Sequence, residues 1–598
     1  MATDEINPAE NREALELNIK RIEDLSKRFT QAVAKKQPTR ASLQGPGQEF
    51  YSKTMSAYWS EMMNSPGKFV ENQVEFWGKT LKHAVEAQHA LVSGDAVPED
   101  DTPKDARFRN PLWDNHPYFN YLKQQYLITS KAMEDAVDDL EGIDDHDRDR
   151  VRYFTQQMID LMAPTNFLAT NPDALERAVE TEGQSLIDGL ENMIRDLERN
   201  NGELIVTLSD PDAFTVGENI GTTEGSVVFR NRMFELIQYK PVTDEVYEKP
   251  LLIFPPWINK FYILDLKPEN SLIKWITEQG FTLYVVSWVN PDTSYADVGM
   301  EDYIEEGFMT AIDEVRGMTG QDKINVVGYC IAGTTLSLTL SLMAKRNEKK
   351  VNSATFFTAL TDFSDRGEVG VFLDNDFVDG IEEECRDNGI MSSRYMSQTF
   401  SYLRANDLVY QPAIRSYMLG NKPPAFDLLY WNGDSTNLPG KMAIEYLRGL
   451  CQRDEFAGEG EGYPLLGENL KISDVDVPIC AVACETDHIA AWRSSYNGIR
   501  KMGSKNKTFI LSESGHIAGI VNPPSKKKYG HYLNDDWPEN PDDWQAGATR
   551  HDGTWWFHWA KWLAKRSGKK IPARPIGDSG HPVLAAAPGT YVVANPQV

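Results

Sequence analysis

The chain has 598 residues, 41% apolar and 11% aromatic, a globular composition with length for more than one domain. Acidic side chains outnumber basic ones 89 to 61, a formal charge of −28, which excludes the basic footprint of a nucleic-acid-binding surface. Five cysteines are too few for a disulfide framework at this length, and no apolar run approaches the roughly eighteen residues of a membrane span.

No CxxC, HExxH or GxxxxGK(S/T) pattern occurs, so zinc and nucleotide-phosphate readings have no foothold. No secretory leader pattern opens the chain, and a reducing cytoplasm is the expected compartment.

Residues 1–95 read as a mobile, helical and polar N-terminal region. Val70, Val74, Trp77, Leu81 and Val85 recur at helical spacing and predict an amphipathic helix. Its apolar face is expected to pack on the protein itself. A partner- or surface-binding stripe is the sharper alternative, with Met55, Tyr58, Trp59, Met62 and Met63 nearby. "VSGDAVPEDDTPKDARF" reads as an exposed linker. A helical domain is expected over 96–205, through "YFNYLKQQYLITSKAM" and "GQSLIDGLENMIRDLERN".

From 206 onward β-rich runs alternate with helical segments: "SVVFRN", "FELIQY", "LLIFPP", "TLYVVSW", "INVVGY", "ATFFTAL", "VPICAVACE" and "KTFILSE". The first two are close enough for an antiparallel meander. The later ones are separated by helix-length crossovers, which predicts a mostly parallel sheet. Eight strands, with a candidate nucleophile after the fifth, predict an α/β-hydrolase fold over 206–598. A helical cap is expected in the insertion at 362–455, between strands six and seven.

The nucleophile candidate is Cys330, in "GYCIAG". Gly328, Ala332 and Gly333 suit a sharp strand-to-helix turn of the G-x-S-x-G kind, with Cys for Ser. The acid should follow strand seven, where "ICAVACETDHIAAW" places Asp487, and the base should follow strand eight, where "TFILSESGHIAG" places His516. A thiol attacks as its thiolate, and an adjacent imidazole supplies that activation, oriented by a carboxylate.

Backbone N–H groups would complete the site as an oxyanion hole, one from Ile331 after the nucleophile and one from the loop "FPPWINKFY". Pro255 and Pro256 have no N–H, so Trp257 is the first possible donor there and Ile258 the next. His488, beside Asp487, reads as a loop-shaping neighbour. Cys484 reads as core, and Cys385, Cys451 and Cys480 have no catalytic company.

These segments, with "MAPTNFLATNP", "PPWINKFYILDLKPENSL", "AFDLLYWNGDSTNLPG" and "SGHIAGIVNPP", resemble the polyhydroxyalkanoate synthases, from about Tyr118 to the C-terminal region. The resemblance implies an acyltransferase that polymerises (R)-3-hydroxyacyl-coenzyme A into polyester. Cys330 would be the nucleophile, His516 the base, and Asp487 would activate the incoming 3-hydroxyl. No cofactor is implied, coenzyme A being the leaving group of the substrate.

The full-size chain is similar to the single-subunit type I enzymes, which implies short monomers, a homodimer, and a cytoplasmic protein on polyester granules beside possible granule-associated proteins. One departure is Ala332, where the family's box carries the first of two paired glycines; a positive φ there would add strain. A Cys-dependent hydrolase or acyl-CoA thioesterase is the alternative reading. A non-catalytic granule-coating protein is a distant third.

Overall fold

A computed structural model describes residues 8–36, 48–93 and 105–596. Residues 94–104 of the expected linker lie outside the described residues. The chain divides into two compact units, Met1–Asp210 with Arg404–Pro424, and Pro211–Leu403 with Ala425–Val598.

The first unit is helical: α1 (Pro8–Val33), α2 (Gln48–Asn64), α3 (Pro66–Ser93), α4 (Pro117–Asp138), α5 (Asp145–Leu161) and α6 (Gln184–Arg199) are its long elements. Residues 404–424, from within the expected insertion, lie close on α6. The Asn192 side chain donates to the Ser416 carbonyl at 3.1 Å, and Tyr417 Oη donates to Asp196 at 2.7 Å. A Cβ on Gly189 would sit 2.0 Å from the Tyr417 carbonyl oxygen, so only glycine permits this approach.

Helix α3 forms as its periodicity predicts, but it does not bury the expected face. Val70, Trp77 and Val85 are 58%, 56% and 64% exposed, and Val74 and Leu81 are exposed with them. The helix docks on α4 through its other side, where Thr80, His83, Ala84 and Ala87 are half-buried and Ala90 is buried. There the His83 ring stacks on Tyr121 at 5.8 Å. Small residues let the helices approach closely, so the bulky stripe is left facing solvent. Met55, Trp59 and Met63 of α2 are exposed too, whereas Tyr58 and Met62 are half-buried. Among the described residues no helix is long and apolar enough to cross a membrane.

The second unit is built on one eleven-stranded sheet: β1 (Gly225–Arg230), β2 (Phe234–Tyr239), β3 (Leu251–Phe254), β4 (Leu283–Trp288), β5 (Ile324–Tyr329), β6 (Val351–Phe357), β7 (Ile479–Cys484), β8 (Lys507–Ser512), β9 (His531–Leu533), β10 (Thr549–His551) and β11 (Ala585–Ala586). Their spatial order is β10-β9-β8-β7-β6-β5-β3-β4-β2-β1-β11. The eight expected strands are the first eight. β1 and β2 pair antiparallel, and β3 through β8 run parallel.

Every residue of β3, β4, β5 and β7 is buried, as continuous apolar runs covered on both faces require. Three short antiparallel strands, β9, β10 and β11, extend the sheet at its two edges. Between β6 and β7 the chain is helical, including Asn375–Asn388 and Ser393–Leu403.

Candidate active site

β5 delivers the chain into a turn at Cys330, and α7 (Ile331–Lys345) starts on the next residue. Cys330 has φ +54° and ψ −128°, a conformation costing a side-chain-bearing residue on the order of 1–3 kcal/mol. The surrounding packing enforces it. A Cβ on Gly328 would lie 2.6 Å from Gly333 Cα, and one on Gly333 would lie 2.5 Å from Ala359 Cβ. Strand and helix can meet this closely only through glycine, and the turn between them displays the thiol. Ala332 is helical, so the strain its methyl group could have caused is absent; the positive φ falls on Cys330. Thirteen residues of α7 are buried. Its hydroxyls bond back along the helix, Ser337 to the Thr334 carbonyl at 2.6 Å and Thr339 to that of Thr335 at 2.9 Å.

Asp487 follows β7, and its carboxylate is fully engaged. Oδ1 accepts the backbone N–H groups of Ile489 and Ala490, both at 2.8 Å, while Oδ2 lies 2.7 Å from Nδ1 of His516. His516 is buried in the loop after β8 and stacks on Tyr329 with ring centroids 6.0 Å apart. The imidazole also lies near the Cys330 side chain. Burial alone would push its pKa down, but the Asp487 carboxylate and the Cys330 sulfur carry it well above the usual range. The three residues singled out in sequence are thus brought together, with His516 paired to Asp487 and beside Cys330.

The His516 loop is held from behind by two indoles at the start of helix α8 (Trp556–Ala564). Trp555 Nε1 donates to the Gly519 carbonyl at 2.7 Å, and Trp556 Nε1 to that of Ile520 at 2.9 Å. A Cβ on Gly519 would meet Cys484 Sγ at 2.4 Å, so the loop lies directly on β7. Sequence reasoning missed these tryptophans; the cluster "TWWFHW" was the available signal.

Of the five cysteines, Cys330 alone is not buried. Burial pushes the Cys385 and Cys451 thiols up to about 12, and those of Cys480 and Cys484 up as well. His488 is half-buried on the Asp487 loop. Among the described residues no cluster of three or more His, Cys, Asp or Glu is arranged to hold a metal ion.

The backbone N–H groups of Ile331, Trp257 and Ile258 donate to no protein acceptor among the described residues. All three residues are buried. Orphaned buried N–H groups are rare in folded proteins. The loop carrying Trp257 is instead tied down by its carbonyls: Pro255 O accepts Trp288 Nε1 at 2.8 Å, and Trp257 O accepts Thr436 Oγ1 at 2.8 Å.

Strand order, the turn at Cys330 and the His–Asp pair behind it define an α/β-hydrolase-fold protein. The α/β hydrolase fold family model matches residues 249–523, and the model described as "Poly-beta-hydroxybutyrate polymerase (PhaC) N-terminus" matches residues 104–276. A "Poly(3-hydroxyalkanoate) polymerase" of Methylorubrum extorquens is 39% identical over 562 residues, covering 92% of this chain and 91% of the relative. A "Poly(3-hydroxyalkanoate) polymerase subunit PhaC" of Cupriavidus necator is 41% identical over 499 residues, covering 82% and 83%. Among solved structures, a monoacylglycerol lipase of Paleococcus ferrophilus matches with 12% identity and a TM-score of 0.31, covering 54% of this chain and 98% of its own. The chain belongs to the poly(3-hydroxyalkanoate) polymerases, a family of acyltransferases.

Proposed function

We propose that this chain builds polyester from short (R)-3-hydroxyacyl-coenzyme A thioesters through an acyl intermediate on Cys330. The observation that carries the reading is the imidazole of His516, held 2.7 Å from a buried carboxylate and beside the Cys330 side chain. With Nδ1–H donated to Asp487, the lone pair of Nε2 is free to take the thiol proton. The thiolate attacks the thioester carbonyl. The resulting oxyanion takes hydrogen bonds from the N–H groups of Ile331 and Trp257.

The bond from the carbonyl carbon to the coenzyme A sulfur breaks, and that sulfur leaves with the proton held by His516. The 3-hydroxyl of the next acyl unit then gives its proton to His516 and attacks the acyl carbon. An ester bond forms as the bond to Cys330 breaks, and the proton returns to sulfur. Coenzyme A is a leaving group here, with no resident cofactor in the cycle.

Asp487 acts through His516. Both its oxygens are occupied and its side chain is fully shielded, which supports orientation of the imidazole over direct contact with an incoming hydroxyl. The exposed apolar stripe on α3 supports attachment to a polyester granule surface or a granule-associated partner, in a chain that works as a homodimer in the cytoplasm.

The test supplies 3-hydroxybutyryl-coenzyme A and follows thiol release together with turbidity. Polymerisation gives both. Thiol release with free 3-hydroxybutyrate and a clear solution would favour a thioesterase and overturn the proposal.

A further inference from the structure

The loop bearing Trp257 is gripped by a segment 171 to 179 residues further along the chain, within the insertion between β6 and β7. Thr436 bonds Trp257 O through its hydroxyl at 2.8 Å and Ile258 O through its N–H at 3.2 Å. Asn259 and Ser435 form an antiparallel bridge, and Trp431 Nε1 donates to Lys260 O at 2.7 Å. Four consecutive residues of the loop, 257–260, are therefore paired with 431–436. Trp257 O shares its peptide plane with the Ile258 N–H, so holding that carbonyl fixes the direction of the unpaired Ile258 N–H directly, and restrains the unpaired Trp257 N–H through the backbone torsions of Trp257.

At the end of this contact the Lys260 ammonium is almost completely buried and lies 2.6 Å from Asp434 Oδ1. Asp434 Oδ2 accepts the Tyr262 hydroxyl at 2.8 Å, and Lys260 Nζ also donates to Asn595 Oδ1 at 3.0 Å. A buried ammonium is tolerated only when paired, so the ion pair holds only while 431–436 is seated on the loop.

We propose that Lys260 and Asp434 are positioning residues: their ion pair locks the insertion segment onto the loop and thereby sets the loop's oxyanion donors at Trp257 and Ile258. This rests on the acyl-transfer reading above and adds to it that the insertion controls transition-state stabilisation. Seating the segment switches the donor on, without any contact between the ion pair and substrate.

The test exploits two reactions at the same sulfur. Acylation builds an oxyanion, whereas alkylation by iodoacetamide displaces iodide and builds none. We compare Asp434→Asn, Lys260→Met and the milder Tyr262→Phe with the natural chain, in single-turnover acylation by 3-hydroxybutyryl-coenzyme A and by p-nitrophenyl butyrate. Losing a whole oxyanion donor costs about 10²–10³ in rate, so a displaced one is expected to lower the acylation rate about 10- to 100-fold in Asp434→Asn and Lys260→Met. Tyr262→Phe is expected between these and the natural chain, and Lys260→Arg, which keeps the pair, is expected to restore most of the rate.

KM changes little and alkylation of Cys330 stays near the natural rate, because the thiolate is intact. Natural acylation rates in the charge-removing variants would overturn the proposal. So would acylation and alkylation falling together, which marks a collapsed site. If the natural chain accepts the nitrophenyl ester but not the coenzyme A thioester, the polymerase reading fails, while the same comparison on the ester still decides the role of Lys260 and Asp434.

Discussion

Replacing Gly333 by alanine would place a methyl group 2.5 Å from Ala359 Cβ and 3.1 Å from the Gly328 carbonyl oxygen. Carbon atoms pack comfortably at about 3.5–4.0 Å, so α7 must retreat from β5 and β6 by about 1 Å. Overpacking of this kind costs about 1–3 kcal/mol in a close-packed interior. The displacement falls on the turn carrying Cys330, and a misplacement of about 1 Å at a reacting atom costs on the order of 10²-fold in rate.

The partner methyl can be removed by Ala359→Gly. The double variant should recover most of the stability, less the roughly 0.5–1 kcal/mol that a new glycine costs the folded state. Thermal denaturation of the two single variants and the double, with single-turnover acylation of Cys330, forms a double-mutant cycle. The expected coupling is at least about 1 kcal/mol in favour of the double variant. Purely additive losses, or a Gly333→Ala protein with natural stability and rate, would refute the close strand–helix contact as the reason for glycine.

Cys330→Ala should abolish acylation while leaving the thermal midpoint near the natural value, and Cys330→Ser should acylate far more slowly because its hydroxyl is a much weaker acid. Asp487→Asn should slow acylation about 10²- to 10⁴-fold, since the carboxylate fixes the imidazole; natural acylation with lost elongation would instead point to direct contact with the hydroxyl. Burial pushes the Asp454 carboxyl up from 3.8 to about 6, with the facing Asp362 adding to the rise and the Phe363 N–H and Lys501 opposing it. Its folded pKa lies above the unfolded one, so its stabilising contribution is present below about pH 4 and lost as pH rises through about 6. Asp454→Asn should therefore gain on the natural chain in denaturation midpoint across that window, and a constant difference would exclude the effect. Serine at Val74, Trp77 and Leu81 together should leave folding unchanged, because these side chains are exposed, yet lower partition onto polyester granules; unchanged partition would leave the stripe without that role.

The eight principal strands were legible because each is a continuous run of β-branched and aromatic residues between turn signals. β9, β10 and β11 were not: two or three residues long and partly exposed, with compositions such as Thr-Arg-His, they carry no periodic signal. Cys330, Asp487 and His516 were legible because chain order and strand context single them out. The contact of Lys260 with Asp434 was not, because nothing local announces a pairing across 174 positions. The α3 stripe shows the limit of periodicity. It reveals that a helix is two-faced, but which face is covered depends on the neighbouring helix, and here α4 accepts the small residues Thr80, Ala84 and Ala87.

One consequence of the cysteine distribution is practical. Four thiols are buried, which holds them protonated, while the fifth stands at a turn beside an imidazole. The protein as it exists is thus a single-handle reagent. A small maleimide or disulfide probe should attach stoichiometrically at Cys330 without engineering away the others, so that a spin label or fluorophore can report from the turn between β5 and α7 of an otherwise unaltered chain.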